Sequence, residues 1–273
     1  MQKVDRLGWT DGLIFKAYGT RFGIRTNNND VLKQMQGHLP LGWEPDSEPV
    51  VDMLYSLRVG GQSKQRGRRY YNLLYMGAGR IARTLDMGEI FETLADNLQT
   101  VSVLLAQDYL FLRAGAAGWQ GQAILLPGAD VGTTTLLTAL LKAGATYYGD
   151  FYTLLDPEGN IHPYLTPLMV RDDSGENASR VPVEEVGGIS GREPLPLGLV
   201  AWLEYAPGAR WRPRLLTPGR SVLELLQSTM AARRPDFALP ILGQAVTRAR
   251  LIKSKRGEAE ATVRPLLGQL SSV

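Results

Sequence analysis

Residues 125–156, LLPGADVGTTTLLTALLKAGATYYGDFYTLLD, carry most of the residue types from which a phosphate-binding strand, turn and helix are built. Such a turn works because glycines let successive backbone N–H groups converge on phosphate oxygens at a helix N-terminus. A lysine neutralises the β and γ oxygens, and a Ser or Thr hydroxyl holds magnesium. An apolar run from Ala123 to Leu126, the glycines Gly128 and Gly132, and hydroxyls at Thr133, Thr134 and Thr135 meet the first and last of these demands. The charge is missing, because Thr133 follows Gly132 where the lysine belongs. Three residues separate the two glycines where the pattern has four, so the turn is one residue short or begins at Pro127. Asp130 adds an anion that repels phosphate in a partly dehydrated site. These residues predict badly weakened affinity for ATP.

Two cations are candidates to substitute. Lys142 is over two helical turns from the turn and suits the C-terminal end of its helix dipole. Arg113, on the strand ahead of the motif, is better placed to approach the turn. Structural readings stand beside the functional ones. Gly128 and Gly132 serve a strand-to-helix turn that needs backbone freedom, Thr133 or Thr134 an N-cap, and Asp150 a bond to a neighbouring N–H or basic side chain. His162, before Pro163, reads as a turn residue rather than a base.

The elements that must hold these residues follow from periodicity. Phe15, Ala17, Phe22 and Ile24 alternate around Gly19, which predicts a hairpin, and Asn29 or Asp30 is placed to cap a short helix from Val31. Residues 58–83 predict a second hairpin with Lys64, Arg66, Arg68 and Arg69 around its turn. Seven basic residues and no acid lie in that stretch, which reads as an anion patch beside Tyr70 and Tyr71 or as a solvated hairpin tip. Ile90, Leu94, Leu98, Val101 and Leu105 predict an amphipathic helix over 86–108. Two apolar runs flank Gly118 to Gly121. Thr134 to Ala143 forms a helix with Leu136, Leu137, Leu140 and Leu141 inward, ended by Gly144. Residues 145–164 read as a strand, a turn at Asp156 to Asn160 and a return strand, and residues 172–196 as a long exposed loop. LGLVAWLEYA is a buried strand, and SVLELLQSTMAA and FALPILGQAVTRARLI are helices. The fold class is therefore α/β, a small α+β region over 1–85 preceding a second domain over 86–273.

The bulk numbers narrow the function. The chain has 273 residues, 44% hydrophobic content and no cysteine, which leaves room for a sizeable core and excludes disulfides and thiolate chemistry. Its two histidines, His38 and His162, stand far apart, so any metal chemistry needs oxygen ligands. A formal charge of +3 is too small to argue for nucleic acid. With no apolar signal core or membrane-length run, a cytoplasmic protein is expected.

The stretch AILLPGADVGTTTLLTALLKAGATYYGDFYTLLDPEGNIHPYLTPLMVR resembles the core of the HPr kinase/phosphorylase-like P-loop family, through the spacing from turn to YGDFY and the phrase GNIHPY. The similarity extends from LFLRAGAAGWQGQ through LVAWLEYAPGA to the C-terminal helices. It implies an ATP-dependent serine-kinase fold with a mixed sheet and flanking helices, acids on the strand after the turn that handle magnesium and the attacking hydroxyl, and a histidine before the turn. Carried over by position, Thr133 replaces the lysine, Asp150 keeps the first acid, Phe151 replaces the second, and Arg113 replaces the histidine.

Phosphoryl transfer depends on positioning and electrostatic stabilisation, so these losses predict very slow or absent chemistry. The first expectation is a pseudokinase, a binding or scaffolding subunit in a protein complex, with no catalytic residue and no cofactor. Gly128, Gly132, Thr133 and Thr134 are then a vestigial phosphate loop. The second is a divergent active serine kinase acting on a protein or peptide, with ATP and Mg2+ bound, Asp150 and Arg113 catalytic, and Thr134 and Asp150 on the metal. The third is a nucleotide or anion sensor without turnover. A protein partner is expected, a homo-oligomer is compatible, and nucleic acid is not expected.

Overall fold

A computed structural model describes residues 3–61, 70–128, 132–171, 178–231 and 234–270. The basic residues Lys64, Arg66, Arg68 and Arg69, and Asp130 within the turn, lie outside the described residues. The chain divides into two compact units, Met1–Gln107 and Asp108–Val273.

In the first unit, β1 (Asp11–Ala17) and β2 (Thr20–Thr26) form the expected hairpin, and α1 (Asn29–Met35) follows. Its cap is Asn28, one residue earlier than expected, whose side chain accepts the Asp30 N–H. Strands β3 (Glu44–Pro45), β4 (Met53–Arg58), β5 (Asn72–Met76) and β6 (Gly79–Thr84) complete a six-stranded sheet in the order β3-β1-β2-β4-β5-β6. The helix α2 (Met87–Leu105) buries Ile90, Phe91, Leu94 and Leu98 against Phe15, Phe22, Tyr55, Leu57 and Leu74 of this sheet. The helix expected to open the second domain thus belongs by its packing to the first unit. Hydrophobic period alone shows that a helix has an apolar face, without naming the sheet that covers it.

The second unit is mixed α/β. Its strands are β7 (Leu110–Leu112), β8 (Ala114–Trp119), β9 (Gln122–Pro127), β10 (Thr146–Gly149), β11 (Thr153–Leu155), β12 (Asn160–His162), β13 (Leu168–Arg171), β14 (Ala178–Val181), β15 (Ile189–Ser190), β16 (Leu195–Tyr205), β17 (Arg214–Leu215) and β18 (Arg250–Arg256). Helices α3 (Thr133–Lys142), α4 (Pro218–Ser228), α5 (Pro235–Thr247) and α6 (Ala259–Leu267) flank them. At the centre of a ten-stranded sheet, β9, β16 and β18 run parallel, with β8 antiparallel beside β9.

Side chains alternate across this sheet as a pleated strand requires. Ile124, Leu126, Leu199, Ala201 and Ile252 pack on one face with Leu136, Leu137, Leu140 and Leu141 of α3 and with Val263 and Leu266 of α6. Leu125, Val200 and Leu251 pack on the other face with Leu225 of α4 and with Ala238, Ile241 and Leu242 of α5. Helical cover on both faces explains why LGLVAWL is continuously apolar. Among the described residues no helix is long and apolar enough to cross a membrane.

Three expected elements differ. FALPILGQAVTRARLI is not one helix: α5 stops at Thr247 and β18 begins at Arg250, where Leu251 and Ile252 go to opposite faces. Residues 145–155 form two strands with different partners, β10 beside β8 and β11 beside β7. Residues 172–196 are not a plain loop, since β14 pairs with β13 and β15 pairs with β10.

Candidate functional site

The parallel strand β9 ends at Pro127, and α3 starts five residues after Gly128. Gly128 and Gly132 have φ of +103° and +109°, a left-handed backbone that costs an L side chain roughly 1–2 kcal/mol. Gly132 occupies the N-cap position without a side-chain bond, so neither Thr133 nor Thr134 caps the helix. Thr133 turns its hydroxyl back to the Gly128 carbonyl at 3.4 Å.

Thr134 points the other way. Its hydroxyl lies 3.0 Å from each oxygen of the Asp150 carboxylate. A register shift in the β10–β8 pairing between Tyr147 and Gly149 precedes this aspartate, and such irregularities re-aim side chains at strand ends. Asp150 is 6% exposed and also accepts the Met169 N–H at 3.2 Å. Burial pushes its carboxyl above the usual aspartate range, and the bonds from Met169 and Thr134 oppose that rise.

Arg113 is beside the turn by its backbone, whose carbonyl accepts the Gly128 N–H at 3.1 Å. Its guanidinium lies over the Phe151 ring, 5.4 Å from the centroid. Phe151 is 44% exposed and meets Tyr152 edge-on at 4.7 Å, while Tyr152, Phe111 and Tyr164 form an aromatic cluster behind it. Lys142 sits in the last turn of α3, as expected.

His162 is on β12, with Nε2 2.9 Å from Asp156 and the Tyr109 ring against it. Asp156 also accepts from the backbone and side chain of Asn160, at 2.8 and 3.0 Å. Burial alone would raise the Asp156 carboxyl, but the bonds from His162 and Asn160 outweigh it and hold the group below the usual range. Between them these groups brace a strand turn.

Sequence reasoning missed Arg256. It is 4% exposed at the end of β18, donates from Nη2 to the Gly132 carbonyl at 2.8 Å and from Nη1 to the Gly257 carbonyl at 3.0 Å, and lies over Tyr205. A Cβ added to Gly132 would run into this guanidinium. Burial lowers the Arg256 pKa, opposed by the nearby Tyr205 and Glu258. A cleft of about 370 Å3 opens beside it, lined also by Pro127, Thr133, Leu203 and Tyr205. It lies where ligands of open α/β sheets bind, outside the carboxyl ends of parallel strands. The signal that could have found Arg256 is its place on the same strand face as the buried Ile252, two steps of the alternation away.

Among the described residues no group of three or more His, Asp or Glu side chains is placed to hold a metal ion. No protein-family model and no curated protein matches the chain.

Proposed function

We propose that the chain is a catalytically degenerate relative of the HPr kinase-like P-loop proteins, acting in the cytoplasm as a binding or scaffolding subunit of a protein complex. One observation carries the reading. The two positions at which the family resemblance implies a histidine and a second acid hold Arg113 and Phe151, and these stack on each other at 5.4 Å. An exposed aromatic ring under a guanidinium has the composition of a protein contact surface and offers no group to take a proton or a second metal oxygen.

The described residues at the turn argue against a catalytic Mg–ATP complex. Thr133 supplies a hydroxyl already bonded to Gly128, Phe151 supplies no oxygen ligand, and the single Thr134–Asp150 pair is closed in by the Met169 N–H. The test is transfer of labelled phosphate from ATP with magnesium to serine peptides or to the chain itself. The wild type should transfer nothing above background, whereas steady turnover abolished by Asp150→Asn would favour a divergent serine kinase.

A second reading, an anion sensor without turnover, is favoured by Arg256. A buried guanidinium next to the positive end of α3 puts two like fields together, which an anion in the adjoining cleft would relieve. Pyrophosphate should then raise the melting temperature of the wild type and leave Arg256→Gln unaffected.

A further inference from the structure

On one face of the second unit's sheet, two parallel strands run past their helical cover. Val200 and Leu251 are buried there under α4 and α5. Two residues further on, Trp202 stands in register with Lys253, and after it Glu204 with Lys255. β17 widens the same face by setting Arg214 opposite Lys253. A groove of about 510 Å3 follows, lined by the four cations Arg212, Arg214, Lys253 and Lys255, with Trp202 and Pro127 as apolar surface.

The charges are unevenly matched. Lys253 meets Glu224 at 2.9 Å, and Lys255 meets Glu204 at 3.6 Å. Arg212 and Arg214 are exposed and make no ion pair among the described residues. In a chain whose formal charge is only +3, this is a local concentration of unanswered positive charge.

We propose that this groove docks an extended acidic segment of a partner protein, with its carboxylates on Arg212 and Arg214 and its uncharged side chains on Trp202. The inference rests on the binding reading above and names the partner's chemistry. The lining and two physical arguments select the occupant. Arg212 and Arg214, both exposed, line one groove with Trp202, so an extended chain laid along it can set carboxylates and uncharged side chains in turn. A second copy of this chain, seated groove to groove, would bring arginines to arginines, a like-charge contact that disfavours self-association. A nucleic-acid backbone, charged at every step, would meet Glu204 and Glu224 among the cations, whereas a peptide can vary its charge residue by residue.

The test uses the full chain and a short fluorescent peptide of alternating glutamate and valine, followed by anisotropy at low salt. The double charge reversal Arg212→Glu with Arg214→Glu should weaken binding by at least about tenfold. Arg180→Glu, an exposed change on β14 in the same unit, should leave it within about twofold. All three proteins should melt alike, because the changed side chains are exposed. Equal affinity of wild type and double reversal overturns the inference, as does binding of an oligothymidylate or of inorganic phosphate in place of the peptide. If the peptide fails to bind while phosphate transfer stays silent, the groove inference fails and the degenerate reading stands. Phosphate transfer alongside intact peptide binding overturns the degenerate reading and leaves the groove inference standing.

Discussion

Thr134 reaches across from the first turn of α3 to place its hydroxyl 3.0 Å from both oxygens of the buried Asp150 carboxylate. The bond ties the start of the helix to the strand end that follows it. Thr134→Val leaves a buried carboxylate short of a donor, so it should cost about 1–3 kcal/mol by urea denaturation. An unchanged midpoint would show that the pair contributes nothing to the fold.

Asp150 also sets a pH dependence. Its folded pKa is raised, mainly by burial, so its contribution to stability is present below the unfolded value and lost as pH rises through the folded one. Asp150→Asn removes that loss while keeping an oxygen for Met169 and Thr134. The variant's stability relative to wild type should therefore improve steadily from acid to neutral pH. A difference independent of pH would contradict the assignment.

Asp156 should behave with the opposite sign. Its carboxyl is held down by His162 and Asn160, so its stabilisation is present above the unfolded aspartate value and fades as pH falls through the folded one. Asp156→Ala should cost about 2 kcal/mol at neutral pH. The gap to wild type should narrow in acid, as read by chemical denaturation across the pH range.

Gly132 is confined by its backbone and by Arg256 together. Gly132→Ala must hold a non-glycine residue at φ +109° and push the guanidinium aside, and should cost at least about 2 kcal/mol. In the Arg256→Ala background the same change should cost less, because only the backbone strain remains. Equal costs in both backgrounds would mean that the guanidinium yields freely.

Much of the architecture could be read directly from residue pattern. α3 announced itself through Leu136, Leu137, Leu140 and Leu141 and the glycine after it, and β16 through an apolar run that only a strand covered on both faces needs. What failed to show were features fixed by tertiary partners. The apolar face of α2 does not say which sheet it covers, and Leu251 and Ile252 continue the helical rhythm of α5 until the sheet claims them as β18. The split at Asp150 depends on two different neighbours, β8 and β7, which local sequence cannot specify. At the site, Thr134 and Asp150 are in contact, and Asp150 also bonds a neighbouring backbone N–H, as its structural reading had it. Arg256 was not foreseen, since it lies 124 residues from the Gly132 carbonyl it binds. Arg113 is beside the turn by its backbone, and its guanidinium lies over the Phe151 ring.

The central claim is that this turn does not steady a triphosphate for transfer. Its most direct test is a calorimetric titration of Mg–ATP into the wild type and into Thr133→Lys combined with Phe151→Asp, with phosphate transfer measured on the same samples. The wild type should give no saturable heat and no transfer at millimolar ATP, and binding should become measurable once lysine and acid are introduced. Tight binding and turnover by the unmodified chain would contradict the claim.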